Sequence, residues 1–197
     1  MIMTVLMYLM AIGVGVYAVI AYAFNPLGAL VHPAMKANFQ AHPVGIYAHV
    51  FASVVALVLG PFPFSGTLRR RNLELHRRLG STYLMGVLVG GLAGLYMAFF
   101  AFGGLVSSLG FGLLAVLWLY TGVMGTVTIA RHDPEGHRRW MIRNFALTFA
   151  AVTLRIYLPA SMVARLDFMI AYPVIAWLCW VPNLAVAEWM YVRRKVA

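Results

Sequence analysis

The stretch LHRRLGSTYLMGVLVGGLAGLYMAFFAF, residues 75–102, sets a histidine and two arginines directly against a long apolar run. The same order recurs in GHRRWMIRNFALTFAAVTLRIYLPASMV, residues 136–163. About 20 apolar residues in a helix match the hydrocarbon thickness of a bilayer. Both stretches therefore read as membrane helices entered through a basic collar. The phrases His76-Arg77-Arg78 and His137-Arg138-Arg139 stand at their heads.

Four further runs of similar character lie outside these two. The six spans are expected at about 2–24, 44–60, 80–102, 111–130, 140–163 and 173–191. The fold class is all-α: a polytopic helical bundle of six transmembrane helices forming a single membrane domain over residues 1–197. Composition agrees, with 63% hydrophobic and 10% charged residues. Soluble domains carry about 45–50% and about 25% respectively. The mean hydropathy is +0.85. The run at 5–20 ends in Ala21-Tyr22-Ala23, which has the form of a cleavage site. No Lys or Arg precedes it, so it is expected to be a retained first helix.

Net charge is +10, yet the basic residues lie between apolar runs, which points to membrane orientation and away from nucleic acid. Of the fifteen Lys and Arg residues, twelve fall in the second loop, the fourth loop with the start of helix five, and the C-terminal tail. Positive residues mark the cytoplasmic side of a bacterial inner membrane. Both termini, His76 and His137 are expected there, and His32, His42 and His49 toward the outside. The single cysteine, Cys179, excludes an intrachain disulfide and a cysteine-pair metal site.

His76 and His137 open two helices that run in the same direction. Two imidazoles meeting across a gap suffice to hold a b-type haem iron for electron transfer. Arg77 and Arg138 would neutralise its propionates, and Gly80 removes bulk one turn from His76. The alternative is that these are interfacial residues contacting lipid headgroups.

His49 lies within the second helix, where an ionisable side chain faces the bundle interior. It is a candidate ligand for a metal or second haem with His32 or His42, or a hydrogen-bond donor to a buried group or a quinone. No second histidine lies four turns along helix three or five, so those helices support one bis-histidine site at most. Arg155, fifteen residues past Trp140, lies about 22 Å along its helix. It needs a partner such as Asp167, Asn183, His49, a propionate or a lipid phosphate, or it snorkels outward. Glu188 is expected to pair with Arg143 or Arg139. Trp140, Trp177, Trp180 and Trp189 include candidate interfacial anchors. Gly86, Gly90 and Gly94 form a small-residue stripe that admits a neighbouring helix.

The phrases at 75–80, 137–144 and 147–155, with Trp180-Val181-Pro182-Asn183, resemble a family of predicted bacterial six-helix membrane proteins classed as a domain of unknown function. That resemblance spans about 45–190 and implies a fold without an activity. A weaker likeness is to the transmembrane domains of ferric reductases and b-type cytochromes. It implies His76 and His137 as haem ligands with Arg77 as the adjacent base. The second histidine on each helix is missing, and so is any flavin or nicotinamide domain, so a redox role requires a quinone or a partner protein. The functional expectation is a haem b protein passing electrons between a quinol or cytoplasmic donor and another acceptor. The alternatives are an accessory subunit of a larger membrane complex, a homodimer among the assemblies, and a lipid- or anion-binding carrier.

Overall fold

The computed structural model describes residues 2–192, whose regular elements are all helices joined by short turns, without a strand among them. Six helical segments are long and apolar enough to cross a membrane: Val5–Ala23, Pro43–Phe64, Leu73–Ala98, Gly104–Ala130, Pro134–Val163 and Phe168–Met190. The chain is a six-span membrane protein. It divides into two compact units, Met1–Phe100 and Ala101–Ala197, within what the sequence reads as one membrane domain.

The first unit contains α1 (Ile2–Ala23), α2 (Pro33–Ala41), α3 (Pro43–Leu59), α4 (Gly66–Arg71) and α5 (Leu73–Ala98), with a 3-10 turn at Phe62–Phe64. The glycine stripe is used inside this unit, where α5 packs on α3. A Cβ at Gly86 would stand 2.8 Å from the Ala52 carbonyl oxygen and 3.1 Å from the Ala56 nitrogen. A Cβ at Gly94 would stand 2.7 Å from His49 Nδ1. Close backbone approach of this kind is what small residues permit in a membrane, where no hydrophobic force draws helices together. Ala18 on α1 packs with Ile46 and Val50 on α3, under Tyr22, Phe39 and Met97.

The second unit contains α6 (Gly104–Ala130), α7 (Pro134–Thr148), α8 (Ala150–Val163), α9 (Phe168–Leu178) and α10 (Val181–Ala187), closing in a π-helical turn at Glu188–Val192. Two of its reversals share one device. His132 and Arg165 take left-handed backbone angles, φ 60° and 56°. The next residue then bonds back five positions: Asp133 N–H to the Thr128 oxygen and Leu166 N–H to the Ser161 oxygen, each at 3.0 Å. This is a Schellman-type helix end. An aspartate then opens the next helix: Asp133 accepts from Gly136 N–H at 2.8 Å and Asp167 from Met169 N–H at 2.9 Å.

These caps explain where the observed helices depart from the expected spans. α5 begins at Leu73 under the cap of Asn72, α7 at Pro134 under Asp133, and α9 at Phe168 under Asp167. The starts of α5 and α7 precede their apolar runs by several residues, because a capped first turn tolerates polar side chains. By contrast, α9 opens directly on the apolar Phe168-Met169-Ile170. His76 and His137 consequently lie inside first turns and not ahead of their helices. Two expected continuous helices are also interrupted, at Phe149 between α7 and α8 and at Cys179-Trp180 between α9 and α10. Backbone groups freed in a membrane must be satisfied within the protein. At the second break the Cys179 carbonyl accepts from Asn183 Nδ2 at 3.0 Å and from the Thr153 hydroxyl. Pro182, in the first turn of α10, lacks the N–H that a continuous helix would require there.

Candidate functional site

The α6–α7 hairpin brings His137 back beside α6, where its Nδ1 lies 2.7 Å from the Gly125 carbonyl oxygen. A carbonyl only accepts, so a proton sits on Nδ1, and in the neutral ring Nε2 is the atom that carries the lone pair. The following turns of α7 hold Trp140, Arg143, Asn144, Leu147 and Thr148. Arg143 grips Glu188 with two hydrogen bonds, Nε to Oε2 at 2.8 Å and Nη2 to Oε1 at 2.9 Å. This is the ion pair expected at Glu188, formed with Arg143, while Arg139 turns to Glu135 at 3.4 Å. The Arg143 guanidinium carbon stands 4.7 Å from the Trp140 ring centre, in cation–π range. Tyr120 meets the edge of that indole at 5.6 Å.

Asn144, fully buried, anchors a polar network beneath. Its Nδ2 donates to the Trp118 carbonyl at 2.6 Å and to Thr121 Oγ1 at 2.8 Å. Thr148 Oγ1 donates to the Asn144 carbonyl at 3.0 Å and accepts from Trp118 Nε1 at 2.8 Å. Above it a groove of about 420 Å³ opens between α6, α7 and α10. Its walls are Leu117, Tyr120, Trp140, Leu147, Trp180 and Leu184, with Arg143 and Glu188 beside them. Trp180 is only 6% exposed, and its indole N–H is buried without a hydrogen-bond acceptor among the described residues.

The remaining sequence candidates take more local places. His76 is half-buried in the first turn of α5, Arg77 is exposed, and nothing lies within 4 Å of a Cβ built on Gly80. Arg138 Nη1 is buried without a hydrogen-bond acceptor among the described residues, with Glu135 Oε1 at 3.8 Å. His49 Nδ1 bonds the Gly90 carbonyl at 2.8 Å, tying α3 to α5. His42 stacks on Phe100 at 3.8 Å and meets the Tyr96 hydroxyl at 3.0 Å. His32 accepts from Ala34 N–H at 3.3 Å at the start of α2. Among the described residues no group of three or more His, Cys, Asp or Glu side chains is placed to hold a metal ion. Arg155 donates to its own helix, Nη1 to the Ala151 carbonyl at 3.1 Å. Asn183, offered by the sequence as its partner, bonds Thr153 Oγ1 at 3.1 Å, and Asp167 caps α9.

Sequence reasoning missed the groove, the Asn144 network and the buried position of Trp180, which is not an interfacial anchor. One signal was present: Trp140, Arg143, Asn144, Leu147 and Thr148 recur at helical spacing, which puts them on one stripe of α7.

Six apolar spans, internally satisfied helix breaks and polar groups held between helices define a polytopic membrane protein. The chain belongs to the family of predicted membrane proteins DUF2306, a domain of unknown function, which matches residues 46–191. No curated protein and no solved structure matches it.

Proposed function

We propose that this chain is a membrane-embedded b-type haem protein that passes electrons between a quinol or cytoplasmic donor and another acceptor. The observation that carries the reading is the 2.7 Å contact of His137 Nδ1 with the Gly125 carbonyl. Metal-ligating histidines almost always donate their other ring N–H to a carbonyl or carboxylate, which fixes the tautomer and the ring orientation. His137 has that arrangement, with Nε2 as its ligating atom.

The matching His-Arg-Arg phrase makes His76 the sequence's candidate for a second ligand, and nothing lies within 4 Å of a Cβ built on Gly80. Exposed Arg77 and the partly exposed side chain of Arg138 suit the propionates. Arg155 lies eighteen residues beyond His137, about 27 Å along the helical path, too far to serve the same haem edge. When bound, a haem would supply a one-electron ferric/ferrous couple.

The test is the absorption spectrum of protein purified from cells supplied with a haem precursor, oxidised and then dithionite-reduced. A Soret band that shifts on reduction is expected, with loss of low-spin character in His137→Ala and in His76→Ala. Protein without a Soret band overturns the reading. A spectrum unchanged in both variants removes these ligands.

A further inference from the structure

We propose that the arginine face formed by α4 and the first turns of α5 binds the phosphate of anionic phospholipids. Such binding is independent of the haem reading and involves no electron transfer.

Uncompensated charge marks this face. Residues 65–79 hold Arg69, Arg70, Arg71, Arg77 and Arg78 against a single acid, Glu74, a net charge of +4. Arg78 takes that carboxylate, Nε to Oε1 at 2.8 Å. Arg69, Arg70, Arg71 and Arg77 are exposed and form no ion pair with a described residue. Cations crowded in this way repel one another unless anions sit among them. A guanidinium presents a planar fork of donors, which matches the oxygens of a phosphate.

The second basic segment supplies an internal contrast. Residues 131–139 hold Arg131, Arg138 and Arg139 against Asp133 and Glu135, a net charge of +1. Glu135 Oε1 lies 3.8 Å from Arg138 and 3.4 Å from Arg139, so this segment largely neutralises itself. Membrane orientation asks only for basic residues on one side, and both segments supply them. The unpaired excess belongs to the first.

Geometry selects a lipid as the source of the phosphate. Only eight residues separate the membrane-spanning segments Pro43–Phe64 and Leu73–Ala98, and α4 lies among them. So short a connection keeps its arginines at the level of the headgroups. Two caps fix its shape: Ser65 Oγ accepts from Leu68 N–H at 3.2 Å, and Asn72 Oδ1 from Leu75 N–H at 2.9 Å. Exposed Phe62, Phe64, Leu73 and Leu75 border the arginines in sequence. Apolar side chains beside cations suit the boundary between acyl chains and phosphates, where each basic residue adds attraction for anionic lipid.

The probes are phosphatidylglycerol, phosphatidylcholine and inorganic phosphate, added to purified protein in detergent and read by native mass spectrometry. Phosphatidylglycerol should bind at least tenfold more tightly than phosphatidylcholine, and the preference should fall as salt rises. Changing Arg69, Arg70 and Arg71 together to Gln should bring the two lipids to parity. The single changes Arg69→Gln, Arg70→Gln and Arg71→Gln should each weaken phosphatidylglycerol binding about fivefold. They keep the test decisive should the triple variant fail to fold. Arg131→Gln combined with Arg139→Gln, in the self-neutralised segment, should leave the preference unchanged.

Equal retention of both lipids by the parent overturns the proposal. So does a preference that survives the triple and single variants, or one that the paired change at 131 and 139 removes as fully. Displacement of phosphatidylglycerol by inorganic phosphate at equal concentration would assign the face to free phosphate and overturn the lipid. Nucleic acid or an acidic protein released from this face by salt, with no preference between lipids, would overturn it in favour of a soluble partner.

Discussion

Arg143 and Glu188, forty-five residues apart, meet through two parallel hydrogen bonds of 2.8 and 2.9 Å. Their side chains are 23% and 30% exposed, so the pair is neither fully solvated nor sealed. It joins α7 to the π-helical turn that ends the described chain, and Trp140 covers the guanidinium. Removing one partner of a buried pair costs about 3–5 kcal/mol. Partial exposure reduces that here to about 1–3 kcal/mol. Arg143→Ala and Glu188→Ala should each lower the unfolding free energy in detergent by that amount, seen as a lower thermal midpoint. Arg143→Lys should recover less than half, because an ammonium lacks the planar fork. A lysine variant as stable as the parent would show that charge alone, without bidentate geometry, holds α7 to the turn.

Asn144 tests the polar network. Helix-to-helix hydrogen bonds in membranes are worth about 0.6 kcal/mol on average and up to about 1.7 kcal/mol. Asn144 spends two donors on α6, so Asn144→Ala should cost about 1–2 kcal/mol in a chemical or thermal unfolding series. Trp118 fluorescence should shift at the same time, since its indole reaches Asn144 through Thr148. Loss of stability without a change in Trp118 would disconnect the two halves of the network.

The glycines of α5 separate by environment along one helix. Gly80→Ala places a methyl where nothing lies within 4 Å. It should be neutral or stabilising by up to about 1 kcal/mol through helix propensity. Gly86→Ala drives a methyl to 2.8 Å from the Ala52 carbonyl oxygen, which side-chain motion cannot relieve. A loss of about 1–3 kcal/mol is expected from the forced separation of α3 and α5. Equal effects in melting experiments would refute the close packing of that pair.

The charge asymmetry makes a topological prediction. Thr67→Cys and Arg131→Cys, in the basic segments, should react with a membrane-impermeant maleimide only after permeabilisation. Leu166→Cys, beyond α8 and 60% exposed, should react in intact cells. The reverse pattern would invert the orientation drawn from the arginines.

Much of this fold was legible from residue types alone, because a bilayer demands long apolar runs and the chain has six. Helix starts were not, since Asn72 and Asp133 cap polar first turns that a hydropathy reading assigns to loops, and Asp167 caps α9 ahead of the start expected at 173. The break at Cys179-Trp180 was foreshadowed by Pro182-Asn183. Its repair by Thr153, thirty residues before Asn183, depends on tertiary approach. The two His-Arg-Arg phrases look alike as text. Only packing reveals that Gly125 receives the ring of His137 or that Gly90 receives that of His49. The groove escaped notice for the same reason: its walls come from helices separated in sequence, and no single run announces a cavity.

The interruption between α9 and α10 has an experimental use. It seals the only thiol of the chain, Cys179, to 1% exposure beneath two donors that bond its own carbonyl. A thiol so placed reacts only when that corner opens. Its modification rate therefore times the local opening of the membrane domain, with no probe added and no residue changed.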